Sequence, residues 1–153
     1  MAVKPFYLQL YLGTWYEIAS IPQIFALGCV RQVAEYSLNA DQTVAVHNWC
    51  TLKDCQFPEG PCPIRSTRGV ARQISPGQGA FEVSFTHPPY WKGEANYKVL
   101  YVEYDKVALV GGSSPTALWI LARSPNPNDI DYWALMEIAA SQGYDTSRMR
   151  MHA

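Results

Sequence analysis

Residues 13–19 read Gly-Thr-Trp-Tyr-Glu-Ile-Ala and open a series of short segments rich in β-branched and aromatic residues. Turn-forming residues separate these segments, as expected for strands joined by hairpins. Strands are predicted at Trp15–Ile21, Val30–Leu38, Thr43–Thr51, Arg68–Ile74, Ala80–Thr86, Tyr97–Tyr104, Val107–Val110 and Ala117–Ser124. Turns are predicted at 39–42, 75–79, 105–106 and 111–115. About eight sequential hairpin strands predict an all-β, eight-stranded antiparallel up-and-down β-barrel, whose interior can hold one small ligand.

One segment breaks the strand pattern. Residues 128–141 carry apolar residues at intervals of three and four, which is typical of a helix that packs one face on a sheet. Asn128 or Asp129 is expected to cap its start, and Gly143 to end it. The predicted apolar stripe comprises Ile130, Trp133, Leu135, Met136, Ile138 and Ala139. We therefore expect one C-terminal α-helix packed outside the barrel, followed by a short closing strand near Thr146–Met151.

Length, composition and charge narrow the function classes. A chain of 153 residues predicts a single domain over 1–153. Its apolar share of 48% and charged share of 16% are typical of a globular protein. A formal net charge of −1 gives no general attraction to nucleic acid or to an anionic membrane. No run reaches the roughly 18 apolar residues that span a bilayer.

The cysteines are an even number, and three of the four lie close together. They are Cys29, Cys50, Cys55 and Cys62. This pattern favours disulfides, and with no Cys-x-x-Cys pair or nearby histidine we expect no metal site. Cys55 can pair with Cys62 and Cys29 with Cys50, but strand parity points Cys50 and Cys29 to opposite faces of the sheet, so Cys29 with Cys55 stays open. Disulfides favour an oxidising compartment (periplasm, secreted or organelle lumen) and a leader peptide outside this sequence.

Three stretches resemble the signatures of the lipocalin family. Residues 13–19 resemble the Gly-x-Trp motif that opens the family's first strand, 104–110 resemble its second signature at a tight turn, and 118–125 resemble its last barrel strand with a closing arginine. The similarity runs through almost the whole chain and is closest to the branch of apolipoprotein D and the bacterial outer-membrane lipocalins. It implies binding or transport of a fatty acid, a lysophospholipid or a similar lipid in the barrel, without a catalytic residue or cofactor.

The resemblance gives Gly13, Trp15 and Arg123 a structural role. Trp15 would close one end of the barrel, and Arg123 would lie across its indole face. Such a cation–π contact is worth ~1–2 kcal/mol when shielded from water. The guanidinium would also satisfy backbone carbonyls of the turn before Trp15.

The resemblance also fixes which strand faces point inward, because side chains alternate across a strand. The implied ligand-binding lining is mainly aromatic and aliphatic, with tyrosine hydroxyls and one amide as its polar points, and it suits an apolar body with one polar end. No Lys or Arg falls on these inward positions, which argues against a fully ionised head group. The lining comprises Ala34, Tyr36, Val46, Asn48, Phe81, Val83, Phe85, Tyr97, Val99, Tyr101 and Trp119, with Leu27 from a loop.

The loop at 21–28 would lie across the barrel mouth in a protein of this family. Its residues Ile24, Phe25 and Leu27 are unusually apolar. They are expected to form a lid, a peripheral membrane contact or a dimer contact, or to pack inward as core. A monomer or weak dimer is expected. The insertion at 53–64 departs from the family's usual short form.

Two other functions compete with lipid binding. A free, inward Cys50 would act as a thiolate nucleophile on a lipid, as in lipocalin-type prostaglandin synthases, but this needs a base nearby. His47 has the opposite parity and His87 lies beyond the end of its strand. A pigment is the other alternative: haem on His87, or a linear tetrapyrrole or carotenoid stacked on Trp119 and Phe85.

Overall fold

The chain folds into a closed antiparallel barrel with a helix outside it. The computed structural model describes residues 1–23, 29–52 and 64–152. Their elements are α1 (Leu8–Tyr11), β1 (Gly13–Ser20), β2 (Cys29–Leu38), β3 (Val44–Leu52), β4 (Ile64–Gln73), β5 (Ala80–Ser84), β6 (Tyr97–Glu103), β7 (Val107–Gly111), β8 (Leu118–Ala122), α2 (Tyr132–Ser141), a 3-10 turn at Thr146–Arg148, and β9 (Arg150–Met151). No helix within these ranges is long and apolar enough to cross a membrane.

Neighbouring strands pair in the order β2-β3-β4-β5-β6-β7-β8-β1, and β1 also pairs with β2. Eight antiparallel strands therefore close into a barrel, which confirms the fold predicted from the hairpin pattern. The two-residue β9 adds to β1 through Ala19 and Ser20. The barrel has a closed end, where β1 starts and β8 finishes. We call its opposite end the mouth.

The alternation of side chains gives every strand an inner and an outer face, and both faces are packed. The interior cluster holds Trp15, Tyr36, Val46, Phe81, Val99 and Val110 among its buried members. The outer cluster lies between the barrel and α2 and includes Leu100, Leu109, Leu118, Ile120, Leu135 and Ala139. Because α2 covers the outside of β7, all five residues of that strand are buried.

Helix α2 begins later than predicted. The Asp131 carboxylate caps it by accepting a hydrogen bond from the Ala134 N–H at 3.0 Å, so the predicted caps Asn128 and Asp129 are wrong. Trp133 does not pack on the sheet: it is 76% exposed, because it lies about 200° around the helix from the buried Leu135. Gly143 follows the helix with a φ of +91°, as expected for the residue that ends it.

A segment before β1 that carried no sequence signal covers the closed end. The Val3 N–H donates to the Val99 carbonyl at 2.8 Å, and the Gly79 N–H donates to the Val3 carbonyl at 2.9 Å. The buried ring of Phe6 then packs against Tyr11 and Phe81. The interior is thus sealed at this end by residues outside the predicted strands.

Candidate functional site

The closed end is a plug in which Arg123 lies over Trp15. The guanidinium carbon is 3.8 Å from the centre of the indole ring, and the indole N–H donates to the Tyr11 carbonyl at 2.8 Å. Gly13 makes room for this contact, since a Cβ there would lie 3.3 Å from a guanidinium nitrogen. The guanidinium also donates, at 2.8–3.3 Å, to five backbone carbonyls, those of Tyr104, Thr14, Leu10, Tyr11 and Leu12. The arrangement joins the turn before β1 to the end of β8.

Three tyrosine hydroxyls meet in the interior next to the plug. The hydroxyl oxygen of Tyr97 lies 2.5 Å from that of Tyr11 and 3.1 Å from that of Tyr36. Burial raises the pKa of Tyr36 to about 12 and raises the pKa of Tyr11 and of Tyr97 well above the ordinary value. The hydroxyls therefore stay neutral at physiological pH and bind each other. Tyr11 comes from α1, which the lining predicted from the strands did not include.

Side chains fill this lower half of the barrel. The space that the centre of a water molecule can reach there measures about 20 Å³, roughly what a single water needs. Its walls include five residues of the predicted lining: Tyr36, Val46, Phe81, Val83 and Tyr97. A lipid tail does not fit among these side chains as they stand.

The inner wall of β2, β3 and β4 becomes polar toward the mouth. Its successive cross-strand rows are Tyr36, Val46 and Gly69, then Ala34, Asn48 and Thr67, then Gln32, Cys50 and Arg65. Ala34 lies beside Trp15 and packs against the interior cluster. Thr67 is exposed although its strand position faces inward, which indicates an open cup at this level.

Two aromatic side chains complete that cup. Phe85 follows the end of β5 and is 45% exposed. Its ring lies on Gly69, where a Cβ would come within 2.7 Å of the ring. Trp119 on β8 is half-buried against the interior cluster, near Gly112 of the loop that follows β7. We call Asn48, Thr67, Phe85 and Trp119 the upper cup.

Asn48 brings an unpaired polar atom into the upper cup. Its carbonyl oxygen, Oδ1, is buried and makes no hydrogen bond to any residue that the structure describes. An unpaired buried acceptor costs about 1–3 kcal/mol. Such a group is rare in native proteins, which indicates a partner outside the described residues, such as a water or a ligand.

The inward position predicted for Tyr101 is wrong. The pairing of β6 with β7 shifts register between Val99 and Tyr101, which indicates a bulge at Leu100. Val99 stays in the interior cluster, but Leu100 and Tyr101 both lie on the outer side. The Tyr101 hydroxyl donates to a Glu103 carboxylate oxygen at 2.9 Å. Leu27 lies outside the described residues, as do Ile24 and Phe25.

The early start of β4 adds a positive charge at the rim, the edge of the barrel mouth. Strand β4 starts at Ile64, four residues before the predicted start, so Arg65 falls on the inward side opposite Cys50. The prediction that no Lys or Arg faces inward therefore fails at the rim. Arg65 is exposed there, with its guanidinium 4.0 Å from the Cys29 sulfur.

Cys29 and Cys50 form a disulfide, with their Cα atoms 5.5 Å apart. The parity argument against this pair fails because the register of β2 shifts between Cys29 and Arg31. Cys55 and Cys62 lie outside the described residues. A disulfide-bonded Cys50 has no thiolate, so the nucleophile of the enzyme alternative is not present in this form.

A Ser–His–Glu group on β1 and the C-terminus has the composition of a catalytic triad but not its geometry. One nitrogen of His152, Nε2, lies 3.1 Å from the Ser20 hydroxyl and 2.9 Å from a Glu17 carboxylate oxygen. A triad needs both ring nitrogens, one for each partner. The contacts instead tie the C-terminus to β1. His87 is exposed, and across the described ranges no three His, Cys, Asp or Glu residues are placed to hold a metal ion.

Comparisons with known proteins agree with this architecture. A family model described as a lipocalin-like domain matches residues 6–153. The outer membrane lipoprotein Blc of Escherichia coli K12 is 34% identical over 149 residues, covering 95% of this chain and 78% of that protein. Mouse apolipoprotein D is 32% identical over 159 residues, covering 94% and 75%. The structure of insecticyanin from Manduca sexta superposes with a TM-score of 0.70 at 18% identity, covering 99% of this chain and 82% of that one.

Proposed function

This chain belongs to the lipocalin family, whose members bind small hydrophobic ligands, and from that membership we propose that it binds and carries a fatty acid, a lysophospholipid or a similar lipid in its upper cup. The proposal includes no chemistry on the ligand. It also places the protein in an oxidising compartment, in keeping with the disulfide between Cys29 and Cys50.

The observation that carries this proposal is the exposed aromatic surface on the inner face of the barrel. Phe85 is 45% exposed while its ring lies on the inner face of β4. Burial of a lipid tail contributes about 0.8 kcal/mol per methylene. A chain of about a dozen carbons thus supplies enough free energy for micromolar binding after the cost of association.

The first test is native mass spectrometry combined with organic extraction of the purified protein. We expect a lipid that stays bound in the native spectrum and is released on unfolding. A coloured extract would instead support the pigment alternative, with Trp119 and Phe85 as the stacking residues. A protein that yields no lipid and does not take up a fluorescent fatty acid would contradict the carrier function.

A pair of variants on one strand locates the binding site. Thr67→Trp places a large ring in the upper cup, where the native side chain is exposed, and Ser66→Trp places the same ring on the outer face of β4. We expect Thr67→Trp to weaken uptake of a fluorescent fatty acid about tenfold or more, and Ser66→Trp to leave it unchanged. Equal effects of the two variants would place the lipid elsewhere.

A further inference from the structure

The wall around Asn48 determines which head group the upper cup can accept. The two cross-strand neighbours of Asn48 are Ala34, which is apolar, and Thr67, which carries one hydroxyl. In the next row toward the closed end, the Tyr36 hydroxyl is already hydrogen-bonded to the Tyr97 hydroxyl. Within the described strands, neither of these two rows contributes a cation; Arg65 lies one row further, exposed at the rim.

A carboxylate lies on the inner face of β1, one inward position nearer the mouth than Trp15, which pairs with Ala34. Glu17 lies opposite Leu121, a member of the interior cluster, so its side chain shares the inner face. Its charge contributes to raising the pKa of Tyr36, after the larger effect of burial. His152 contacts the Glu17 carboxylate, and both groups lie at the seam between β1 and β9. A second carboxylate on the inner face would be repelled by that of Glu17.

We propose that the upper cup prefers a lipid with a neutral, hydrogen-donating head group, such as a fatty alcohol, a monoacylglycerol or a fatty amide, whose hydroxyl or N–H binds Asn48 Oδ1, over an ionised fatty acid. A carboxylate has only acceptor atoms, so it can bind the Nδ2 side of this carboxamide but cannot satisfy Oδ1. It would also lose hydration in the two rows around Asn48, which carry no cation. This inference rests on the proposed function and refines its ligand class.

The test is competition between lipids of equal chain length for a bound fluorescent dye, N-phenyl-1-naphthylamine, at a pH near 8 where the acid is ionised. The competitors are dodecanol, monolauroylglycerol, methyl dodecanoate and dodecanoic acid. The methyl ester is neutral but lacks a donor, so it separates the effect of charge from the effect of the hydrogen bond. We expect the two donors to bind about tenfold more tightly than the acid, with the ester weaker than either donor.

Variants of Asn48 then assign the preference to its carbonyl oxygen. Asn48→Ala should weaken the two donors about fivefold to tenfold and leave the ester and the acid within about twofold. Ser66→Ala, on the outer face of β4, serves as the control and should change nothing. Asn48→Leu keeps the volume of the side chain and replaces Asn48→Ala if that variant does not fold.

Each contrary outcome has a distinct meaning. If dodecanoic acid binds as tightly as dodecanol, or if Asn48→Ala weakens all four competitors equally, the head-group inference is wrong and the carrier function stands. Acid binding that is lost in Arg65→Ala would indicate an anionic head at the rim and would also overturn it. If the dye and all four lipids fail to bind the wild-type protein, the carrier function itself fails.

Discussion

The lower half of the barrel and the upper cup differ in how completely their polar atoms are paired. Below, the guanidinium of Arg123 donates to five carbonyls, the Trp15 indole donates to a carbonyl, and the hydroxyl of Tyr97 binds two others. Above, Asn48 Oδ1 has no partner among the described residues and Phe85 is 45% exposed. The lower half is therefore built for stability, and the upper cup keeps free surface for a ligand at a cost in stability.

The largest effect should follow from removing the plug. Arg123→Ala deletes the cation–π contact and the donor of five carbonyls, several of them shielded from water, so we expect the free energy of unfolding to fall by about 3–4 kcal/mol. Urea denaturation followed by tryptophan fluorescence measures this change.

An exposed arginine provides the matched control for that variant. Arg148 forms an ion pair with Asp145 three residues before it, and 62% of its side chain is exposed. Arg148→Ala should change the free energy of unfolding by less than about 0.5 kcal/mol. A similar loss for both variants would mean that the plug contributes nothing specific, and the comparison between the two halves would fail.

High pH should also lower the free energy of unfolding, through the buried tyrosines of the lower half. The native pKa of Tyr36 is about 12 because the side chain is buried, against an ordinary value of 10. Between these two values the unfolded chain loses the phenolic proton while the native protein keeps it, so stability is complete below about pH 10 and is lost as the pH rises through 12. A shift of two units corresponds to about 3 kcal/mol.

The buried tyrosines Tyr11 and Tyr97, whose pKa values are also raised, add to the alkaline effect in the same direction. Urea midpoints measured at several pH values, together with tyrosinate absorbance, follow the loss. Tyr36→Phe should flatten the pH dependence above about pH 10. An unchanged slope in that variant would show that burial of Tyr36 is not the cause.

The strand pattern predicts this barrel well because alternation and hairpin turns are local properties. The spacing of Trp15 and Arg123 was informative only through the resemblance to a known family, since the two residues are distant in sequence. Parity failed where a register shift intervened, at Tyr101 and at Cys29, because a single extra residue reverses the face of all that follow. No periodic pattern marks such bulges in advance.

Other features of the site depend on tertiary pairing alone. Phe6 and Tyr11 fill the closed end, although the segment before β1 has neither strand nor helix periodicity. Strand β4 extends back to Ile64 because β3 pairs with it, not because residues 65–67 favour a strand, and this puts Arg65 at the rim. The sequence does not reveal the unpaired oxygen of Asn48 either, because it depends on which hydrogen-bond donors the surrounding strands lack.

Within the lower half, a smaller loss should follow from deleting one hydroxyl. Tyr97→Phe keeps the ring but leaves the hydroxyls of Tyr11 and Tyr36 without their common partner. Two hydrogen bonds at about 1 kcal/mol each predict a decrease of about 2 kcal/mol in the free energy of unfolding. A thermal or urea unfolding curve with no shift would show that the tyrosine cluster is looser than the distances of 2.5 and 3.1 Å indicate.

The smallest effect should have the opposite sign, in the upper cup. Asn48→Leu removes a buried acceptor that has no donor and replaces it with an apolar side chain of similar volume, so we expect the free energy of unfolding of the lipid-free protein to rise by about 1 kcal/mol. Urea unfolding of delipidated samples measures it. A decrease would mean that the carboxamide is paired in solution, and Asn48 would then belong with the lower half as a structural residue. An increase accompanied by weaker binding of dodecanol would show that the chain retains an unpaired atom because its ligand supplies the missing donor.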